Sequence, residues 1–256
     1  MVIESLIKPD WVAKNPLYAF YLGVVLAFIG TSIGLFIFPD QASFAGLLFI
    51  TIAAVPFLSK VVDFEETRKG IFHANFWVRN RKIAFIYGLF FFGVALTYFI
   101  WFKILPLASA EFFFNRQIVA LTRPTILGFF SQAQLNQYMP ILLNNLKVLF
   151  LVLILSIIYG MGSVLIITWN ASVLGVFVAS FGRFVDFLSF VPHTAMEFTG
   201  FFFGAMAGGL ISMAFDESKT KIGSQKFYRA INDASLLFLL AVVIIALAAL
   251  VEIRLF

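Results

Sequence analysis

His193 and Glu197 stand four residues apart in the run Pro192-His193-Thr194-Ala195-Met196-Glu197. On a helix this spacing stacks an imidazole and a carboxylate one turn apart on the same face. Such a pair can share a hydrogen bond, a proton or an ion. Three chemistries are open to it: a structural or oligomer-specifying polar contact, an ion, proton or ligand site, and catalysis. As a metal centre it offers two ligands where catalytic zinc usually takes three from the protein. Asp186 is a carboxylate that could join them. The chain has no His-Glu-x-x-His, no Gly-x-Ser-x-Gly and no phosphate-binding loop. Cysteine is absent, which excludes disulfides, thiolate metal sites and cysteine nucleophiles. No catalytic residue is assigned and no cofactor is called for. His73, the other histidine, lies alone in a charged loop and reads as ordinary.

Other polar groups fall at helical spacing. Measured from Asn145 at 100° per residue, Ser156, Tyr159, Ser163 and Asn170 lie within about 40° of it. A polar stripe on a membrane helix belongs toward protein or water rather than lipid. Measured from Glu197, His193, Gly200, Gly204 and Gly208 share an arc of about 80°. This is a repeated small-xxx-small stripe with an ionisable pair at its head, and it lets another backbone approach closely. It is expected to pack on the helix carrying Asn145, or on a second copy of the chain. Gly160, Gly162 and Gly175 are read as further packing positions. Pro192 reads as a helix start, where it costs no hydrogen bond. Glu197 would then lie only about 7–8 Å into the helix, close enough to gain from the N-terminal dipole. Arg183 and Asp186, three residues apart, read as a local ion pair at a helix break or as a gate.

These residues need elements to hold them, and composition says what kind. Of 256 residues, 62% are hydrophobic and 12% charged, against about 45–50% and about 25% in soluble domains. Phenylalanine alone accounts for 35. The expected class is all-α: a polytopic transmembrane bundle of six to seven spans. A span needs roughly 20 apolar residues to cross a core of about 30 Å. The runs that qualify are Leu17–Phe38, Phe44–Val62, Ile83–Leu105, Leu146–Thr168, Thr194–Phe215 and Leu236–Val251. Leu236–Val251 is polar nowhere and is expected to face lipid. Ala171–Val191 is one span long but is interrupted by Gly182, Arg183 and Asp186, so it is either a broken crossing helix or re-entrant. Pro39-Asp40-Gln41 is a tight turn, and Pro56 a kink site. In the charged loop 63–82, residues Ile71–Val78 read as a short surface helix. Within 106–140, Glu111–Leu121 reads as one or two interfacial helices. Asp216–Asp233 reads as a charged loop. No internal repeat or flexible linker divides the chain, so residues 1–256 are read as one transmembrane domain: an N-terminal hairpin and loop over 1–82, then a core over 83–256.

Net charge is +5, and the basic residues gather in loops. That favours membrane orientation over nucleic-acid binding. The first fourteen residues lack the basic region of a cleavable signal, so the first run is expected to stay as an anchor. With the N-terminus cytoplasmic and Ala171–Val191 crossing, twelve Lys and Arg fall inside and six outside. A re-entrant segment gives ten and eight. The positive-inside rule favours seven passes.

Asn144-Asn145, Gly160-x-Gly162, Asn170 with Gly175, and Pro192-His193-x-x-x-Glu197 with its trailing glycines resemble the stage II sporulation protein M family of membrane proteins. The resemblance covers roughly Ile83 to Val251, and the N-terminal pair of spans looks like archaeal-type members. Two positions depart from the family pattern: Asn170-Ala171 stands where Asn-Gly is usual, and Pro192-His193-Thr194 where Pro-His-Gly is usual. The resemblance implies a multi-pass cell-membrane protein. In spore-forming bacteria it implies a scaffold that holds cell-wall-degrading partners at a septum and is not itself the hydrolase. Three readings follow for this chain: a homo-oligomeric scaffold, a dimer first, in envelope or membrane remodelling with envelope protein partners; a channel or transporter-like protein using the polar site; and an intramembrane enzyme.

Overall fold

The computed structural model describes residues 9–67, 76–122, 138–158, 163–180, 184–215 and 220–255. All regular structure among them is helical: α1 (Pro9–Lys14), α2 (Leu17–Ile37), α3 (Ala42–Thr67), α4 (Phe76–Ile104), α5 (Leu107–Phe113), α6 (Asn115–Thr122), α7 (Tyr138–Ile158), α8 (Ser163–Ser180), α9 (Phe184–Phe215) and α10 (Gln225–Leu255), with a 3-10 turn at Pro39–Gln41. Among the described residues six helices are long and apolar enough to cross a membrane: α2, α3, α4, α7, α9 and α10. The chain is an all-α polytopic membrane protein.

Short polar signals set the joints. Asn15 Oδ1 accepts a hydrogen bond from the Leu17 amide at 3.1 Å and turns α1 into α2. Gly223 adopts φ +80°, which favours glycine. Ser224 Oγ then accepts from the Phe227 amide at 3.2 Å and caps the start of α10.

The contacts divide the chain into two compact units, residues 1–117 with 168–179, and residues 118–167 with 180–256. In the first unit, α2 packs on both α3 and α4. Glycines set these crossings. A Cβ on Gly23 would collide with the Phe90 carbonyl, and one on Gly93 with the Phe20 carbonyl. Gly34 presses on the Ala42 carbonyl in the same way. Thr97 Oγ1 bonds back to the Gly93 carbonyl at 3.0 Å and reaches Val24 O at 3.4 Å. At one end of the α3/α4 pair, Lys82 Nζ meets Glu65 Oε1 at 2.6 Å, the Glu65 side chain being buried. Arg116 Nη2 donates to Gln41 Oε1 at 2.8 Å and so ties α6 to the 3-10 turn. Phe114 packs edge-on against Tyr98, which anchors the short α5–α6 pair on α4.

In the second unit, α9 packs along α10 and against α7. The buried face of α10 runs Leu237, Ala241, Ile245, Ala248 and Glu252. These steps of three and four residues are the stripe of a helix facing protein.

Several boundaries differ from the sequence expectation. Across the expected run Leu146–Thr168 the structure describes α7, which starts eight residues earlier at Tyr138, and α8 from Ser163; residues 159–162 lie outside the described residues. The segment Ala171–Val191 is therefore shared between α8 and α9. With 18 residues, α8 is about 27 Å long. Pro192 does not start its helix; it lies inside α9, which begins at Phe184. Phe76, Trp77 and Val78 belong to the first turn of α4 and not to a separate surface helix, while Ile71–Asn75 lie outside the described residues. Helix α10 extends back to Gln225 into the expected charged loop, and one face of it is buried and not lipid-facing.

Candidate functional site

Four buried polar groups of the second unit stand on α7, α9 and α10. Asn145 is carried on α7, His193 and Glu197 on α9, and Glu252 on α10. Asn145 and Glu197 are 0% exposed, Glu252 2% and His193 3%. Asn145 donates from Nδ2 to Glu197 Oε1 at 2.5 Å. This short bond joins residues 52 positions apart. Glu252 lies within electrostatic reach of Glu197. No described group hydrogen-bonds to Glu197 Oε2, Asn145 Oδ1 or Glu252 Oε2.

Glu197 is thirteen residues beyond Phe184, about 20 Å along α9. The helix N-terminal dipole acts only within the first turn or so and does not reach it. What holds Glu197 is tertiary: the Asn145 carboxamide and the close approach of its neighbours. Glycines make that approach possible. A Cβ on Gly204 would strike the Leu149 side chain of α7, and one on Gly200 would sit 2.6 Å from Ile245 Cγ1 of α10. Gly208 is buried as well. Gly200 and Gly204 are thus occupied by helices of their own chain and are not free for a second copy.

His193 Nε2 lies 3.3 Å from Thr194 Oγ1. Among the described residues no three His, Cys, Asp or Glu side chains come together as a metal site.

The other candidates separate. Asn170 and Gly175 lie on the part of α8 that belongs to the first unit. There Gly175 packs on α4, against the Ala95 carbonyl and Tyr98 Cβ. Beside them Gln117 Nε2 donates to Ser172 Oγ at 3.2 Å, and Ser172 Oγ donates to the Trp169 carbonyl at 2.7 Å. Asn145 therefore lies in the second unit and Asn170 in the first. Tyr159, Gly160, Gly162 and Arg183 lie outside the described residues. Ser163 and Asp186 sit in the first turns of α8 and α9, their side chains being outside the description.

Sequence reasoning missed Glu252 by ending the last span at Val251. The signal was present: Ala241, Ile245, Ala248 and Glu252 recur at helical spacing, and a carboxylate in that register faces the same neighbour as the alanines.

The family model described as stage II sporulation protein M matches residues 123–253, just over half of the chain. The match starts some forty residues after Ile83, so α2–α4 fall outside it. Neither a curated protein nor a solved structure is found to match the chain. The matched stretch carries α7 to α10 with the Asn145–Glu197 bond and the glycines beside it, and on that match the chain belongs to the stage II sporulation protein M family.

Proposed function

We propose that the protein is a non-catalytic scaffold of the cell membrane, working in envelope or membrane remodelling. One observation carries the reading. A short polar contact of the family segment, Asn145 to Glu197, is made between two of its own helices in a buried seam, with glycines packing nearby. Residues used in this way build a fixed platform. The resemblance implies the same role for the family's namesake. The N-terminus is cytoplasmic in this reading, from the excess of Lys and Arg on that side. The protein acts as a homo-oligomer, a dimer first, with envelope proteins as partners. Because Gly200 and Gly204 are occupied, the contacts between copies use other, outward apolar faces. Mass measurement in nanodiscs with crosslinking in intact cells tests the proposal. A strict monomer that captures no envelope protein would sink it.

A second reading has a specific observation in its favour. Glu197 is fully buried yet has one oxygen with no partner among the described residues, and ionisable groups inside membrane bundles often mark ion or proton paths. In this reading the protein is a channel or transporter-like protein. Flux into liposomes that is lost in Glu197→Gln would favour it over the scaffold.

A further inference from the structure

Three buried oxygen acceptors, Asn145 Oδ1, Glu197 Oε2 and Glu252 Oε2, come from three different helices of the second unit and meet no donor among the described residues. Asn145 and Glu197 are joined at 2.5 Å, and Glu252 acts electrostatically on Glu197. All three residues are at least nine-tenths buried. Two carboxylates removed from water repel one another unless positive charge offsets them. Among the described side chains, His193 stands one turn before Glu197 on α9; that of Arg254 lies outside the description. Lys147 on α7 is exposed. Lys226, Arg229 and Asp233 lie toward the other end of α10, about 28 Å or more from Glu252 along the axis.

We infer that Glu197, Glu252 and Asn145 hold one monovalent cation, an alkali ion or a shared proton, between α7, α9 and α10. The Asn145 carboxamide suits this role because Nδ2 is committed to Glu197 and Oδ1 remains a neutral acceptor. Calcium takes six to eight oxygen ligands, which three side chains do not supply. A single positive charge halves the net charge of the two carboxylates, and the amide carbonyl adds a neutral ligand. This goes beyond the scaffold reading and does not depend on it: a platform locked by a resident cation and a transporter coupled to one would both contain the site.

The test uses the full chain in nanodiscs. Thermal unfolding is followed by tryptophan fluorescence in NaCl or KCl against N-methylglucamine chloride at constant ionic strength. Infrared spectra of the same samples report protonated carboxyl groups. With an alkali ion bound, the wild-type midpoint rises by roughly 2–4 °C and then levels off with salt. Glu252→Gln abolishes the rise, and Asn145→Ser raises the half-saturating concentration on the order of tenfold. With a proton bound, alkali salts leave the midpoint unchanged, and a protonated-carboxyl band in the wild type is lost in Glu252→Gln or Glu197→Gln. The inference is overturned if the wild type shows neither the alkali dependence nor the band. It is also overturned if whichever is present survives unchanged in both Gln variants. The first of these outcomes is read on the wild type alone and needs no variant to fold.

Discussion

Asn145 on α7 donates a 2.5 Å hydrogen bond to Glu197 on α9, and neither side chain reaches the surface. This bond joins two helices whose residues lie far apart in sequence, and it leaves a carboxylate dependent on a single amide. Removing the amide while keeping the acid should therefore cost more than removing both. Asn145→Leu is expected to destabilise the fold by about 1.5–3 kcal/mol. Adding Glu197→Leu should recover part of that loss. The check is a double-mutant cycle of reversible unfolding in mixed micelles; strictly additive losses would contradict a direct bond.

The glycines divide into two kinds. Gly23 and Gly93 face backbone carbonyls, while Gly204 faces the tip of the Leu149 side chain. A side chain can rotate away and a helix backbone cannot. Gly93→Ala should lower stability clearly, by about 1–3 kcal/mol, and Gly204→Ala should cost less. Gly88 has open space where its Cβ would be, so Gly88→Ala should be neutral or stabilise by up to about 1 kcal/mol through helix propensity. Comparing the three midpoints checks the order, and Gly88→Ala as the most damaging change would refute it.

The lack of cysteine makes accessibility direct to measure. A single cysteine at Glu197, which is fully buried, should resist a membrane-impermeant maleimide, while one at exposed Asp40 should label readily from one side of the bilayer. The two sides should be assigned with oriented vesicles. Rapid labelling at position 197 would mean that water reaches the seam, favouring transport over the scaffold.

Lys82 pairs with buried Glu65 at 2.6 Å. Taking the ammonium away removes a positive charge from beside a buried carboxylate. Lys82→Met should destabilise by about 3 kcal/mol, and Lys82→Arg much less. In the same denaturation assay, an unchanged midpoint in Lys82→Met would show the pair to be idle.

For the scaffold reading, Gly204→Leu should damage assembly more than Glu197→Gln, because a branched side chain separates α9 from α7. Transport predicts the opposite order in flux. Native mass analysis and liposome flux on the same two variants separate the readings.

Much of the architecture was decided by composition and local spacing. Long apolar runs must be helices in a bilayer, because no water is there to satisfy an open backbone. That fixed the helical class and placed Leu17–Ile37 almost to the residue. Helical spacing also put His193, Glu197, Gly200 and Gly204 on one face before any partner was known. What local pattern could not decide was which residues pack together. Asn145 and Asn170 fall at nearly the same helical angle, yet Asn170 belongs to the first unit and Asn145 to the second. Packing depends on the neighbours of each helix, and hydropathy does not record them. Pro192 teaches the same point, since a proline fits a helix start and is also tolerated inside a membrane helix whose neighbours support it. Glu252 was legible only as a charge after an apolar run. Its place beside Glu197 came from the tertiary pairing of α9 with α10, because the distance between two helices is a property of both surfaces and is written in neither one alone.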